Sequence, residues 1–226
     1  MTTSSARDDI LSNIRRSLHV SGNEAPRKAA VAARLAAAAN GVIPQRGQLP
    51  DEERVALFTS QATATFCTVT QVNRADIPSE VSRYLRDNNL PATLKMGADP
   101  RVIGLKWNET TMEISVGASD GRDLNGLSHA FGGVAETGTL IMISGPENPS
   151  TLNFLPDNHI VVVSKSEIAG DYETVLKRIR DKFGAGEMPR TVNFITGPSR
   201  SADIEQKLLL GAHGPRALHI IIAADT

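Results

Sequence analysis

Three stretches of this 226-residue chain gather the side-chain types that chemistry needs. The first is Gly132-Gly133-Val134-Ala135-Glu136-Thr137-Gly138-Thr139. Its glycines allow positive φ and close backbone approach, and the N–H groups of such a turn can cradle an anion. Glu136 would stand beside them as base, nucleophile or orienting acceptor, with hydroxyls from Thr137 and Thr139. The plainer alternative is a tight turn in which Glu136 only caps backbone donors. The stretch lacks the Lys-Ser/Thr of a nucleotide P-loop, and it precedes an apolar strand where a dinucleotide turn would follow one.

The second stretch is Thr196-Gly197-Pro198-Ser199-Arg200-Ser201-Ala202-Asp203-Ile204-Glu205. It follows an apolar strand, and residues 201–210 are predicted to form a helix. A helix start after Gly197 would attract an anion through its N–H groups and dipole. Ser199 and Ser201 are good caps. Arg200 could grip a carboxylate or phosphate with paired hydrogen bonds. Asp203 and Glu205 would either complete a polar network there or merely favour the first helical turn. The third stretch, Gly211-Ala212-His213-Gly214-Pro215, offers a histidine able to titrate near neutral pH. With a regular helix before it, His213 would lie at the opposite rim from Ser199, in either a ligand or a structural role.

Other chemistries find little support. His19, His129, His159 and His219 show no metal-ligand spacing, so no metal is expected. A Gly-x-Ser-x-Gly elbow is missing. The single cysteine, Cys67, cannot form an internal disulfide or hold an iron–sulfur cluster, and inside an apolar segment it reads as a buried, inert thiol. The net charge is −1, which gives no reason to expect nucleic acid as a partner. No apolar run approaches the roughly 20 residues of a membrane span. No secretory signal is expected at Met1–Asp9, so the expected compartment is a reducing cytoplasm.

The elements that must position these groups come in two textures. Residues 1–50 carry a charge balance of +4 and the remainder −5. Two short helices, Arg7–Leu18 and the alanine-rich Lys28–Ala39, form an N-terminal appendage with a linker, too short to be stable alone. They are expected to dock on protein. From residue 51 onward helices alternate with strands. Helices are predicted at 51–64, 77–88 and 171–183, and a helical or turn-rich stretch at 124–136. Strands are predicted at 65–69 (with Cys67), 93–96, 111–117, 139–144, 160–164, 192–196 and 218–223. Short runs without polar alternation are buried on both faces, as in parallel sheets. The fold class is therefore α/β, a three-layer α/β/α domain with a mostly parallel sheet. Ligands of such sheets bind beyond the carboxyl ends of the strands.

Four motifs in order carry a resemblance: Ala135–Thr139, Leu155-Pro-Asp-Asn-His-Ile-Val-Val-Val163, Thr196–Glu205 and Gly211–Pro215. Together they resemble the LUD-domain family, and within it the lactate utilization protein C branch. The resemblance is close from about Leu124 to Asp225 and loose elsewhere. It implies a fold of the NagB/RpiA/CoA-transferase-like kind for residues 51–226. It also implies an accessory role in bacterial oxidation of L-lactate to pyruvate, beside partner proteins that carry the iron–sulfur clusters. No cofactor is then expected in this chain itself. A small organic acid or phosphate-containing ligand and a homo-oligomer are both compatible with it. The alternative is a stand-alone transferase- or ligase-type enzyme acting on a small carboxylate, CoA ester or nucleotide, with Glu136 catalytic. Gly133, Gly138 and Gly197 would then line the ligand site with the threonines, serines and Arg200.

Overall fold

Two runs of branched aliphatic residues organise the molecule, Ile160–Val163 and Ile220–Ile222. The computed structural model describes residues 5–37, 39–184, 186–204 and 207–224. The chain divides after Val42 into two units. The smaller contains α1 (Ala6–Ser17) and α2 (Ala25–Ala37), and neither helix buries a residue. Ser5 caps α1, its Oγ accepting the Asp8 N–H. Residues 43–50 belong with the larger unit, where Gly47 is already buried.

In the larger unit six strands form one wholly parallel sheet. They are β1 (Thr68–Asn73), β2 (Thr93–Met96), β3 (Glu113–Val116), β4 (Asn125–His129), β7 (Asn158–Ser164) and β12 (Ala217–Ala224), in the order β1-β12-β7-β4-β2-β3. Successive side chains of a strand point to opposite faces. Val161, Val163, Ile220 and Ile222 accordingly pack on one face with Phe58 and Ala62 of α3 (Asp51–Ala64). Ile160, Val162 and Ile221 pack on the other, with Val81 and Leu85 of α4 (Ile77–Asp87) and with Trp107. Both faces are covered, which is why these runs show no polar alternation.

Beside α3 lies a second, mixed sheet, β8-β5-β6-β9, built from β5 (Gly132–Val134), β6 (Thr139–Ile143), β8 (Ile168–Ala169) and β9 (Val192–Ile195). Leu140 and Met142 face the main core, while Ile141 faces α6 (Tyr172–Phe183). Asp171 caps α6 and Gly184, at φ 99°, ends it. Beyond the mostly parallel central sheet flanked by helices, this second sheet is an addition that the sequence did not announce.

Three local expectations are corrected. The stretch 124–136 is two strands, β4 and β5, because Asn125–His129 completes the buried parallel sheet. The first strand starts at Thr68, so Cys67 precedes it, buried at the end of α3. Residues 201–210 are not a helix. Arg200–Ile204 and Lys207–Leu210 are the antiparallel strands β10 and β11. Ile204 and Leu208 are four apart, but the other apolar residues crowd at one end, Leu208 to Leu210, so the helical stripe is short. A short α5 (Pro100–Ile103) completes the elements. No helix among the described residues is long and apolar enough to cross a membrane.

Candidate functional site

The sequence-selected residues fall into two groups near the C-terminal end of α3. In the first, β6 begins at Thr139 and its antiparallel neighbour β9 ends at Ile195. Thr139 Oγ1 therefore meets Thr196 Oγ1 at 2.7 Å. The Tyr172 hydroxyl joins Thr137 at 2.8 Å and Thr139 at 2.9 Å, and the two threonines bond each other at 2.7 Å. These hydroxyls satisfy one another. Glu136 is buried, and its Oε1 accepts the N–H of Tyr172, the first residue of α6, at 3.4 Å. The glycines are used for close packing. A Cβ on Gly138 would lie 2.3 Å from Ala62 N, on Gly133 2.9 Å from the Phe58 ring, and on Gly197 2.4 Å from Thr65 O. The chain itself fills the space that these glycines leave.

In the second group, the hairpin removes the helix start on which the anion argument depended. It also brings His213 to Ser199, correcting the opposite-rim expectation. The His213 N–H donates to Ser199 Oγ at 3.2 Å, the Ser199 N–H to Pro215 O at 2.8 Å, and the Gly211 N–H to Ser199 O at 3.0 Å. Arg200 lays its guanidinium over the ring of Phe66, 3.1 Å from the centroid. Ser201 and Asp203 lie on β10, and Glu205 lies outside the described residues.

A different set of side chains meets at the carboxyl ends of the parallel strands. His129 is the last residue of β4, Asp99 and Arg101 follow β2, Glu167 follows β7 and Arg74 follows β1. Asp99, almost wholly buried, takes Arg101 Nε at 3.0 Å, Arg101 Nη2 at 2.8 Å and Asn148 Nδ2 at 3.0 Å. Burial alone would raise its pKa. The Arg101 and Asn148 hydrogen bonds outweigh that and hold it well below the usual carboxylate range. Arg101 Nη1 reaches Glu167 Oε1 at 3.0 Å, and Arg74 donates to Arg101 O at 2.8 Å. Burial pushes Glu167 above the ordinary carboxylate range although Arg101 opposes it.

His129 is 2% exposed. Its Nδ1 lies 2.8 Å from the Ala130 carbonyl, so Nδ1 carries the proton and Nε2 the lone pair. Nε2 has no hydrogen-bond partner. Burial, with the Arg101 charge nearby, pushes the His129 pKa down to about 4, so the ring is neutral near pH 7. A cleft of about 350 Å³ opens here, lined by Arg101, His129, Phe131, Asn148, Lys182 and Phe183 among others. Lys182 Nζ sits 5.4 Å from the Phe131 ring and 5.7 Å from that of Phe183. The cleft is of mixed charge, with Arg101 and Lys182 beside Glu147, and has two aromatic walls, so it suits a small polar ligand.

The LUD domain family matches residues 124–223. Those residues are similar to the LUD domain. Lactate utilization protein C of Halalkalibacterium halodurans is 36% identical over 118 residues, 51% of this chain and 51% of that protein. Lactate utilization protein C of a Geobacillus species is 39% identical over 93 residues, 41% of this chain and 39% of that protein. The matched stretch thus spans about half the length, or less, of these curated relatives. The crystal structure of a DUF162 family protein from Deinococcus radiodurans superposes with a TM-score of 0.58 at 21% identity, covering 78% of this chain and 99% of that one. That likeness shows the shared fold. The matched stretch supplies β4 to β12, and so His129, Glu167 and Lys182. Asp99 and Arg101 come from the segment before it, so the cleft is assembled across the boundary of the match.

Three buried histidines give the fold a pH dependence. Burial pushes His129 and His219 down to about 4 and His159 to about 3. In the unfolded chain they titrate near 6.5. Between those values the unfolded state binds more protons, so stability rises with pH and is lost as pH falls from about 6.5 towards 4. The thermal midpoint should drop stepwise from pH 7.5 to pH 6 to pH 5. His159→Leu should soften that slope, and a flat profile would contradict the burial.

Proposed function

We propose that this protein serves in lactate utilization, in the oxidation of L-lactate to pyruvate, as an accessory component beside proteins that carry iron–sulfur clusters. The observation that carries this reading is the LUD-domain match over residues 124–223 in a chain similar to two proteins named lactate utilization protein C. The residues of the chain agree with a division of labour. Its one cysteine, Cys67, is buried, and burial raises its pKa. A cluster needs several thiolates, so electron transfer would fall to a partner. The part left to this chain is recognition, and the carboxyl-edge cleft is the surface fitted for it. Deletion of the gene is expected to slow or abolish growth on L-lactate as sole carbon source while growth on glucose continues. The full chain supplied in trans should restore it. Undiminished growth on lactate in a strain without a second copy would refute the reading.

A further inference from the structure

Helix α1 carries an apolar stripe that nothing in its own unit buries. Ile10, Ile14 and Leu18 recur four apart and are all exposed, with Leu11 half-buried beside them. Read as heptads, Leu11 and Leu18 take position a and Ile14 takes position d. A helix of 12 residues is marginal in water unless something packs on such a stripe. The other helix of the unit, α2, leaves Val31 and Leu35 exposed in turn.

The charges beside the stripe select what covers it. α1 holds Asp8 and Asp9 in its first turn and Arg15 and Arg16 in its last. Asp8 and Arg15 are seven apart, so they lie on one flank of the stripe, at position e of successive heptads. Two copies of the helix related by a two-fold axis near Ser12 would run antiparallel. Asp8 of each copy then meets Arg15 of the other, Ile10 meets Ile14, and the helix dipoles oppose favourably. A parallel pair would set acid beside acid and arginine beside arginine. A lipid surface fits less well, because α1 has two aspartates and residues 1–50 contain no aromatic side chain to sit at the interface. We propose that α1 is a self-association surface, on which the α1 helices of two copies pack antiparallel through Ile10, Leu11, Ile14 and Leu18, with an Asp8–Arg15 ion pair on either side of the axis.

The test is analytical ultracentrifugation of the full chain over a range of concentrations. A reversible dimer is expected, and added salt should weaken it because the ion pairs are exposed. Ile14→Lys should leave a monomer. Asp8→Arg alone and Arg15→Asp alone each turn two attractions into two repulsions, and each should raise the dimer Kd about tenfold. Mixing those two variants should restore tight pairing, since both contacts across the axis then join opposite charges. Recovery on mixing separates pairing from damage to the helix, which mixing could not repair. A monomer at every concentration would overturn the proposal, and a monomer that binds phosphatidylserine vesicles through α1 would replace it with a lipid contact. A dimer indifferent to Ile14→Lys, or a mixture no tighter than its two components, would overturn it as well.

Discussion

Gly138→Val is expected to leave little folded protein at 25 °C, and Gly138→Ala to lose about 3 kcal/mol or more. Gly138 sits at φ 66°, a left-handed conformation that costs a residue with a Cβ about 1–2 kcal/mol and a β-branched one more. The added Cβ would also lie 2.3 Å from Ala62 N, 2.7 Å from Gln61 C and 2.8 Å from Ala62 Cα. These are backbone atoms of α3, which cannot rotate aside as a side-chain tip can. Relief requires shifting the helix, and Phe58 and Ala62 of that helix lie in the main core. Overpacking adds about 1–3 kcal/mol, against a typical total stability of 5–15 kcal/mol. Urea unfolding followed by circular dichroism gives the comparison. Wild-type stability of the alanine variant would show that the loop does not press on α3 as described.

Arg101→Ala is expected to cost about 2–4 kcal/mol. It strips Asp99 of two of its side-chain hydrogen bonds and leaves that carboxylate buried with the Arg101 backbone N–H and Asn148. Removing one partner of a buried pair costs about 3–5 kcal/mol, discounted here because Arg101 itself is about a third exposed. Asp99→Asn combined with Arg101→Met should recover most of the loss, since no unpaired charge is then buried. The same substitution has a second readout. The Arg101 charge helps to keep His129 deprotonated, so the His129 pKa should rise in Arg101→Ala. A variant as stable as the parent, with an unmoved His129 titration, would contradict the network.

Much of the fold was legible because its signals are local. Val175, Ile179 and Phe183 recur four apart in α6, with Asp171 before them and Gly184 after, and the helix begins and ends where those residues say. The apolar runs of β7 and β12 announced strands covered on both faces. The hairpin at 200–210 was hidden because its strands lack polar alternation and its base is closed by backbone contacts beyond it: Ser199 with Gly211, His213 and Pro215. The carboxyl-end rule was applied to residues after strands that belong to another sheet. Thr196 follows β9, which is antiparallel to β6 in the small sheet. Applied to β2, β4 and β7 the rule reaches Asp99, His129 and Glu167. Strand order, which no single segment encodes, decides between them. Arg101 was hidden for a related reason, since its partner Glu167 lies 66 residues away.

The most direct test of where this molecule works is a ¹H–¹⁵N amide spectrum of the full chain titrated with L-lactate. Shifts at Phe131, Ser144, Gly145, Asn148 and Lys182 are the predicted result, placing the ligand at the carboxyl edge of the parallel sheet. Shifts confined to Thr137, Gly138, Ser199 and His213, or no shifts at all, would contradict that placement.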